Sequence, residues 1–459
     1  MNIIDEERIW QELKDNASPS EVKVRQILDK ALQLKGLDLP DAAALLQVED
    51  ESLLKELFDT AFKIKNLIYG NRLVLFAPLY ISNHCTNDCL YCGFRRTNRE
   101  LKRVALSNDE IIQEVEAIEK QGHKRILMLM GEDYSIYSFE AFLDAIRAAY
   151  SVKTSPGGEI RRINVEIPPL SLEEFKELKK TNIGTYTVFQ ETYHKETYAK
   201  MHPCGRKADY NWRLFCMDRA LCSGINDVGI GVLFGLFDYK FEVLALLMHA
   251  QHLDKAYGTG PHTISIPRIE PAQNAPVANN VPYPVSDDDF KKLAAVIRCA
   301  VPYTGMILST RERAELRKEL FHMGVSQISA GSRTNIGGYN GKEDAGQFAV
   351  GDDRPTPVVI KDMMARGFIP SFCTACYRLG RTGKEFMDLA KPGLIQKFCQ
   401  PNALLTLQEY LEDYGDGEAK KIGQELIAKE MEKITDSKIK RLFMERLEQI
   451  KNGKRDLYF

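Results

Sequence analysis

Between residues 74 and 330 the chain repeats one unit, a short apolar run followed by an amphipathic stretch of helical period. The runs are VLFAPLYIS (74–82), RILMLMG (125–131), RINVEI (162–167) and GTYTVFQ (184–190). VGIGVLFG (228–235), HTISIP (262–267), GMILST (305–310) and VSQISA (325–330) follow. Apolar runs this short, alternating with segments such as NDEIIQEVEAIEKQG, read as buried parallel strands joined by right-handed crossover helices. Eight such units predict an α/β fold, a (β/α)8 TIM-type barrel with its site at the C-terminal ends of the strands. The barrel is expected over 69–345. An N-terminal helical segment, 1–68, precedes it; there SPSEVKVRQILDKALQLKG opens on a Ser-Pro-Ser capping signal and stops at Gly36. Beyond about residue 345 the strand signal stops, and a helix-rich region, 346–459, follows. The proline-rich stretch 267–290, after the sixth run, is long enough to act as a lid.

With 44% apolar and 27% charged residues and a net charge of −2, the composition is that of an ordinary globular protein. It carries no footprint for nucleic acid or a membrane surface. No apolar run is long enough to span a bilayer, and MNIIDEERIWQELKD is too acidic and amphipathic for a signal peptide. A cytoplasmic location is therefore expected, where thiols stay reduced and clustered cysteines act as metal ligands.

Of ten cysteines, six fall in two sets. Cys85, Cys89 and Cys92 in HCTNDCLYCGF are spaced C-x3-C-x2-C, and Cys373, Cys376 and Cys399 are spaced C-x2-C-x22-C. Cys204, Cys216, Cys222 and Cys299 are scattered and read as small buried apolar residues. Three protein ligands leave a metal with an open coordination position, where chemistry takes place. The first set suits zinc with His84 as fourth ligand, or a cubane iron–sulfur cluster whose fourth iron is exposed; x3-then-x2 is unusual for zinc. The second set leaves the same two choices.

In a barrel, chemistry-bearing residue types gather where the strands end. The first run leads directly into Cys85, Cys89 and Cys92, and the second ends in MGED (130–133). Glu166 closes the third, QETY (190–193) the fourth and STRER (309–313) the seventh.

Together these residues resemble the radical S-adenosylmethionine (SAM) superfamily: C-x3-C-x2-C with Tyr91 before the last cysteine, then GED after the next strand. The resemblance implies a 4Fe–4S cluster on Cys85, Cys89 and Cys92 whose open iron chelates SAM. It implies SAM contacts from Tyr91, from Gly131, Glu132 and Asp133, from Glu166, Gln190 and Glu191, and from Arg213, which pairs with the SAM carboxylate. The alternative for Glu132 and Glu191 is that of acids at a solvated helix N-terminus.

STRE (309–312), SAGSRT (329–334) and the helical N-terminal segment narrow the resemblance to the aromatic amino acid lyases. That group includes the thiamine-pathway tyrosine lyases and the tyrosine lyases that mature FeFe-hydrogenases. The C-terminal cysteines resemble the second of these. The implied activity is cleavage of the Cα–Cβ bond of L-tyrosine to p-cresol and dehydroglycine, which yields carbon monoxide and cyanide for the hydrogenase H-cluster. The implied cofactors are SAM, the N-terminal cluster, and an auxiliary C-terminal 4Fe–4S cluster that carries an additional labile iron through a non-protein cysteine. Implied partners are an electron donor such as ferredoxin or flavodoxin and other FeFe-hydrogenase maturases.

Arg311, with Ser309 beside it, is the expected anchor for the tyrosine carboxylate; the alternative is a rim ion pair with Glu312 or Glu315. Tyr80 is expected against the substrate, or as barrel packing. His262, at the start of the sixth run, is expected to bind the labile iron at the barrel bottom, or to be a core histidine. The nearest rival functions are a thiazole-type tyrosine lyase without the carbon monoxide step and a zinc-stabilised scaffold without catalysis.

Overall fold

In the computed structural model, which describes residues 3–459, every residue of Arg72–Ser82 is buried, and this run forms β1. A strand buried on both faces needs a sheet covered on both sides, which a closed parallel barrel supplies. β2 (Arg125–Met130), β3 (Arg162–Glu166), β4 (Tyr186–Thr187) and β5 (Val228–Gly231) follow in ring order, each parallel to its neighbour. β6 (Thr263–Ser265), β7 (Gly305–Leu308) and β8 (Gln327–Ser329) continue it, and β2 and β8 both pair with β1 to close the ring. All eight expected runs are barrel strands. β4 is shorter than 184–190, yet its ladder continues: Val188 N–H bonds Gly229 O at 3.1 Å and Gln190 N–H bonds Gly231 O at 3.1 Å. Glu191 then takes a φ of 72°, which turns the chain out of the sheet.

The crossover helices start on side-chain caps. Ser107 with Glu110 and Ser171 with Glu174 form complete capping boxes, satisfying amides that would otherwise lack partners. The N-terminal segment folds as α1 (Glu6–Asp15), α2 (Glu21–Ala31), α3 (Leu39–Leu46) and α4 (Glu51–Tyr69), and α4 packs against the helix Asp287–Ala300. No helix among the described residues is long and apolar enough to cross a membrane.

Two features depart from the expectations. A ninth strand, β9 (Ile369–Ser371), lies where the strand signal was read as ended, and pairs in parallel with Arg72–Val74 of β1. Three residues give too short a period to read in the sequence, but the pairing delivers Cys373 to the N-terminal end of the barrel. Among the scattered cysteines, Cys216 and Cys299 are buried as expected, whereas Cys222 is exposed and Cys204 half-buried. The 267–290 stretch is strapped down: Phe234 N–H bonds Pro267 O at 2.8 Å, Val277 N–H bonds Leu90 O at 3.0 Å, and Ala349 N–H bonds Pro271 O at 2.8 Å.

Candidate functional site

β1 ends in a register shift between Tyr80 and Ser82, and the chain then enters the cysteine loop. Bulges at barrel rims re-aim the chain next to active sites. Cys85, Cys89 and Cys92 line a cavity of about 640 Å³ at the C-terminal strand ends, together with Gly131, Glu132, Glu166, Glu191 and Arg213. Gly131 has to be glycine, since a Cβ there would lie 2.3 Å from His84 O. That contact presses the β2 end against the cysteine loop. Asn87, inside the loop, donates to Glu132 Oε2 at 2.6 Å.

Glu191 accepts from Lys207 Nζ at 2.5 Å, and Arg213 Nη2 lies 3.5 Å from the same oxygen. Burial raises the Glu191 carboxyl, but Lys207 and Arg213 outweigh it and hold it below the ordinary carboxylate range. Three residues expected at the cofactor do not line this cavity. Tyr91 packs behind Cys89 and bonds His202 Nε2 at 2.7 Å. The Asp133 carboxylate accepts from Ser135 N–H and O–H, and Gln190 Nε2 donates to Tyr210 O at 3.4 Å.

Below this cavity lies a bore of about 820 Å³ lined by Tyr80, Ser309 and Arg311. The rim ion pair considered for Arg311 does not form: Glu312 is taken by Arg268 instead. Arg311 makes no ion pair among the described residues, and its guanidinium stacks 3.3 Å from the Phe348 ring centroid. Tyr80 O–H donates to Gln347 Oε1 at 2.9 Å, and Gln347 Nε2 reaches Cys92 Sγ at 3.6 Å.

At the opposite end, Cys373, Cys376 and Cys399 line a cavity of about 590 Å³ with His262, Asp227, Arg72 and Arg125. Arg72 Nη2 donates to Cys399 Sγ at 3.4 Å, and Arg125 Nη2 to Cys373 O at 2.9 Å. Neither ring nitrogen of His262 is hydrogen-bonded among the described residues, although Asp227 Oδ1 lies 3.4 Å from Nδ1. Burial lowers the His262 pKa against the opposing pull of Asp227, which favours the neutral imidazole.

Residues 79–248 match the Radical SAM superfamily and residues 265–369 the Biotin and Thiamin Synthesis associated domain. 2-Iminoacetate synthase of Escherichia coli (strain K12) is 32% identical over 366 residues, 78% of this chain and 93% of that protein. A crystal structure of HydG, a maturase of the FeFe-hydrogenase, is 50% identical and covers 100% of both chains with a TM-score of 0.97. The chain belongs to the radical SAM superfamily, in the branch of HydG and 2-iminoacetate synthase. HydG from Carboxydothermus hydrogenoformans also matches, at 40% identity and a TM-score of 0.84, over 96% of this chain and 97% of that one.

As a radical SAM lyase the protein uses SAM and a 4Fe–4S cluster, and the upper cavity fits both. Its three thiols surround space rather than converge: no three His, Cys, Asp or Glu side chains among the described residues form a single-ion site. A cubane binds each thiolate to a different iron, so it suits such spread ligands. Burial raises the thiol pKa values of Cys85, Cys89 (to about 12) and Cys92, so their thiolates would be stabilised by a bound cation. Glu191 and Arg213 set a negative and a positive charge side by side on the wall of this cavity.

Sequence reasoning missed Asn87, Lys207 and Gln347 in the upper cavity, Phe348 in the bore, and Arg72, Arg125 and Asp227 in the lower cavity. Asn87 was within reach, being inside the cysteine motif; the others belong to no motif.

Proposed function

We propose that this protein cleaves the Cα–Cβ bond of L-tyrosine to p-cresol and dehydroglycine, and converts dehydroglycine to carbon monoxide and cyanide for FeFe-hydrogenase H-cluster assembly. The observation that carries this reading is one barrel bore with a three-cysteine cavity at each end, in a chain 50% identical to HydG over its full length. When bound, SAM and its cluster supply the one-electron chemistry that removes a hydrogen atom from the substrate amino group.

The protein's own residues bind and orient. Gly131 backbone, Glu132, Glu191 and Arg213 hold SAM against the cluster loop, with Lys207 fixing Glu191. Arg311 and Ser309 hold the tyrosine carboxylate in the bore, where an unpaired guanidinium is the strongest available partner for it. Tyr80 orders the substrate above them. Cys373, Cys376 and Cys399 would hold an auxiliary 4Fe–4S cluster, and His262, on the same cavity, would ligate the additional labile iron. Dehydroglycine passes down the bore; Gln327 lines both the bore and the lower cavity, which supports that route. On this reading 69–345 forms the radical SAM barrel and 346–459 the auxiliary-cluster domain, with an electron donor and further maturases as partners.

The test is anaerobic incubation of cluster-loaded protein with SAM, reductant and L-tyrosine, assaying p-cresol, carbon monoxide and cyanide together. All three are expected. p-Cresol without carbon monoxide or cyanide would restrict the activity to 2-iminoacetate formation, and absence of p-cresol would refute the reading.

A further inference from the structure

Four residues line both the upper cavity and the bore: Tyr80, Leu129, Glu166 and Gln347. Glu166 is the only carboxylate among them, carried on the last residue of β3 and so fixed to the barrel wall rather than to a loop. It is also the one carboxylate of these two cavities with no hydrogen bond or ion pair from any described residue. Glu132 accepts from Asn87, and Glu191 is held by Lys207 and Arg213. Arg311, on the wall of the same bore, is likewise without an ion pair. An unpaired carboxylate and an unpaired guanidinium in one enclosed space complement the two ends of an α-amino acid zwitterion. Each is half-buried in the cavity wall and has no charged partner there.

We propose that Glu166 is a catalytic residue of the substrate rather than a SAM ligand: its carboxylate receives the ammonium group of the amino acid and takes one proton from it. The step is R–NH3+ plus Glu166–COO− giving R–NH2 plus Glu166–COOH. It breaks one N–H bond, forms one O–H bond and needs no oxidant. It rests on the tyrosine-lyase reading, in which a hydrogen atom then leaves the amino nitrogen. Loss of that atom from a neutral amine leaves a neutral nitrogen radical, whereas loss from the ammonium would leave a radical that keeps its positive charge. Burial, then the Glu191 carboxylate, push Glu166 up to about 7, while Arg213, Lys207 and Arg311 pull it down. Tyr80 is the other titratable group facing it. A carboxylate so poised exchanges protons readily near neutral pH.

The test compares the cluster-loaded wild type with Glu166→Gln, which keeps the shape but cannot take the proton. Iron content and the reduced-cluster EPR signal are expected to be unchanged, showing that the fold and the SAM site survive. The wild type is expected to bind L-tyrosine in preference to 3-(4-hydroxyphenyl)propionate, which lacks the amino group, and the variant to lose that preference. The p-cresol rate is expected to fall about a hundredfold or more. The wild-type rise in rate through pH about 7 is expected to vanish with it. An unchanged preference for tyrosine, or an unchanged rate and pH limb in Glu166→Gln, overturns the proposal while leaving the lyase reading intact. A wild type that prefers tyrosine through Glu166 but makes no p-cresol overturns the lyase reading and the proton transfer, and leaves the ammonium site standing.

Discussion

Lys207 and Arg213 converge on a single oxygen of Glu191, so three charges in the upper cavity are fixed before any ligand arrives. Arg311 is the contrast: its partner is an aromatic ring, and its charge remains available. Arg311→Ala is therefore expected to weaken L-tyrosine binding by ~2–5 kcal/mol, the usual cost of removing one partner of a buried charge pair, while SAM binding changes little. Calorimetric titration of each ligand checks it; unaltered tyrosine affinity would move the carboxylate anchor elsewhere, with Arg313 next to try. Cys89→Ala acts on the other side of the cavity. A loop short of one thiolate loses the cluster, so SAM cleavage and every product are expected to vanish. Persistent deoxyadenosine formation in that variant would contradict the cluster assignment.

At the scale of elements, the active end is made by three close approaches. β1 ends in a bulge, the end of β2 presses on the loop that follows, and Gly93 N–H bonds Gln347 O at 3.0 Å, tying the same loop to a segment far along the chain. Gly131 is the tightest of these, because the atom a Cβ would meet is backbone, which cannot swing aside. Gly131→Ala is expected to displace the cysteine loop, with a stability cost of ~1–3 kcal/mol as for other overpacked sites. Iron analysis should show the N-terminal cluster depleted and the C-terminal one retained. Equal loss at both sites would mean general unfolding, and full occupancy would mean that the loop tolerates the shift.

Across the whole molecule, the barrel separates two cysteine sites by the length of its bore, with Arg72 and Arg125 fastening the second to the strand starts. Separation in space predicts separation of phenotype. Cys376→Ala is expected to spare SAM cleavage and p-cresol, and to reduce carbon monoxide sharply. If the C-terminal cysteines hold the proposed cubane, His262→Ala is expected to do less, leaving it in place but loosening the proposed labile iron, since an imidazole rather than a cluster thiolate is lost. Chromatography for p-cresol, haem-protein trapping for carbon monoxide and iron content for each variant decide it. Parallel loss of both products in Cys376→Ala, with the N-terminal cluster present, would falsify this division of labour.

What the sequence alone determined is what short-range pattern can carry. Eight apolar runs alternating with helical periods dictate a parallel barrel because burial on both faces leaves few other closed arrangements. Cys85, Cys89 and Cys92 must lie near one another because only a few bonds separate them. Strand ends mark the active face because of chain direction, which is why Glu166, Glu191 and Arg311 could be named. Tertiary structure alone decided what is distant in sequence. Gln347 bridges Tyr80 and Cys92 across 267 and 255 residues, and Arg72 reaches Cys399 across 327. β9 exists because β1 offers it an edge. The same limit applies to Tyr91, Asp133 and Gln190, whose place in the motifs is local while their side chains bond to His202, Ser135 and Tyr210 and do not line the cavity. Periodicity states which face of an element is apolar; which two faces meet, and which charge is left without a partner, follows only from how the elements pack.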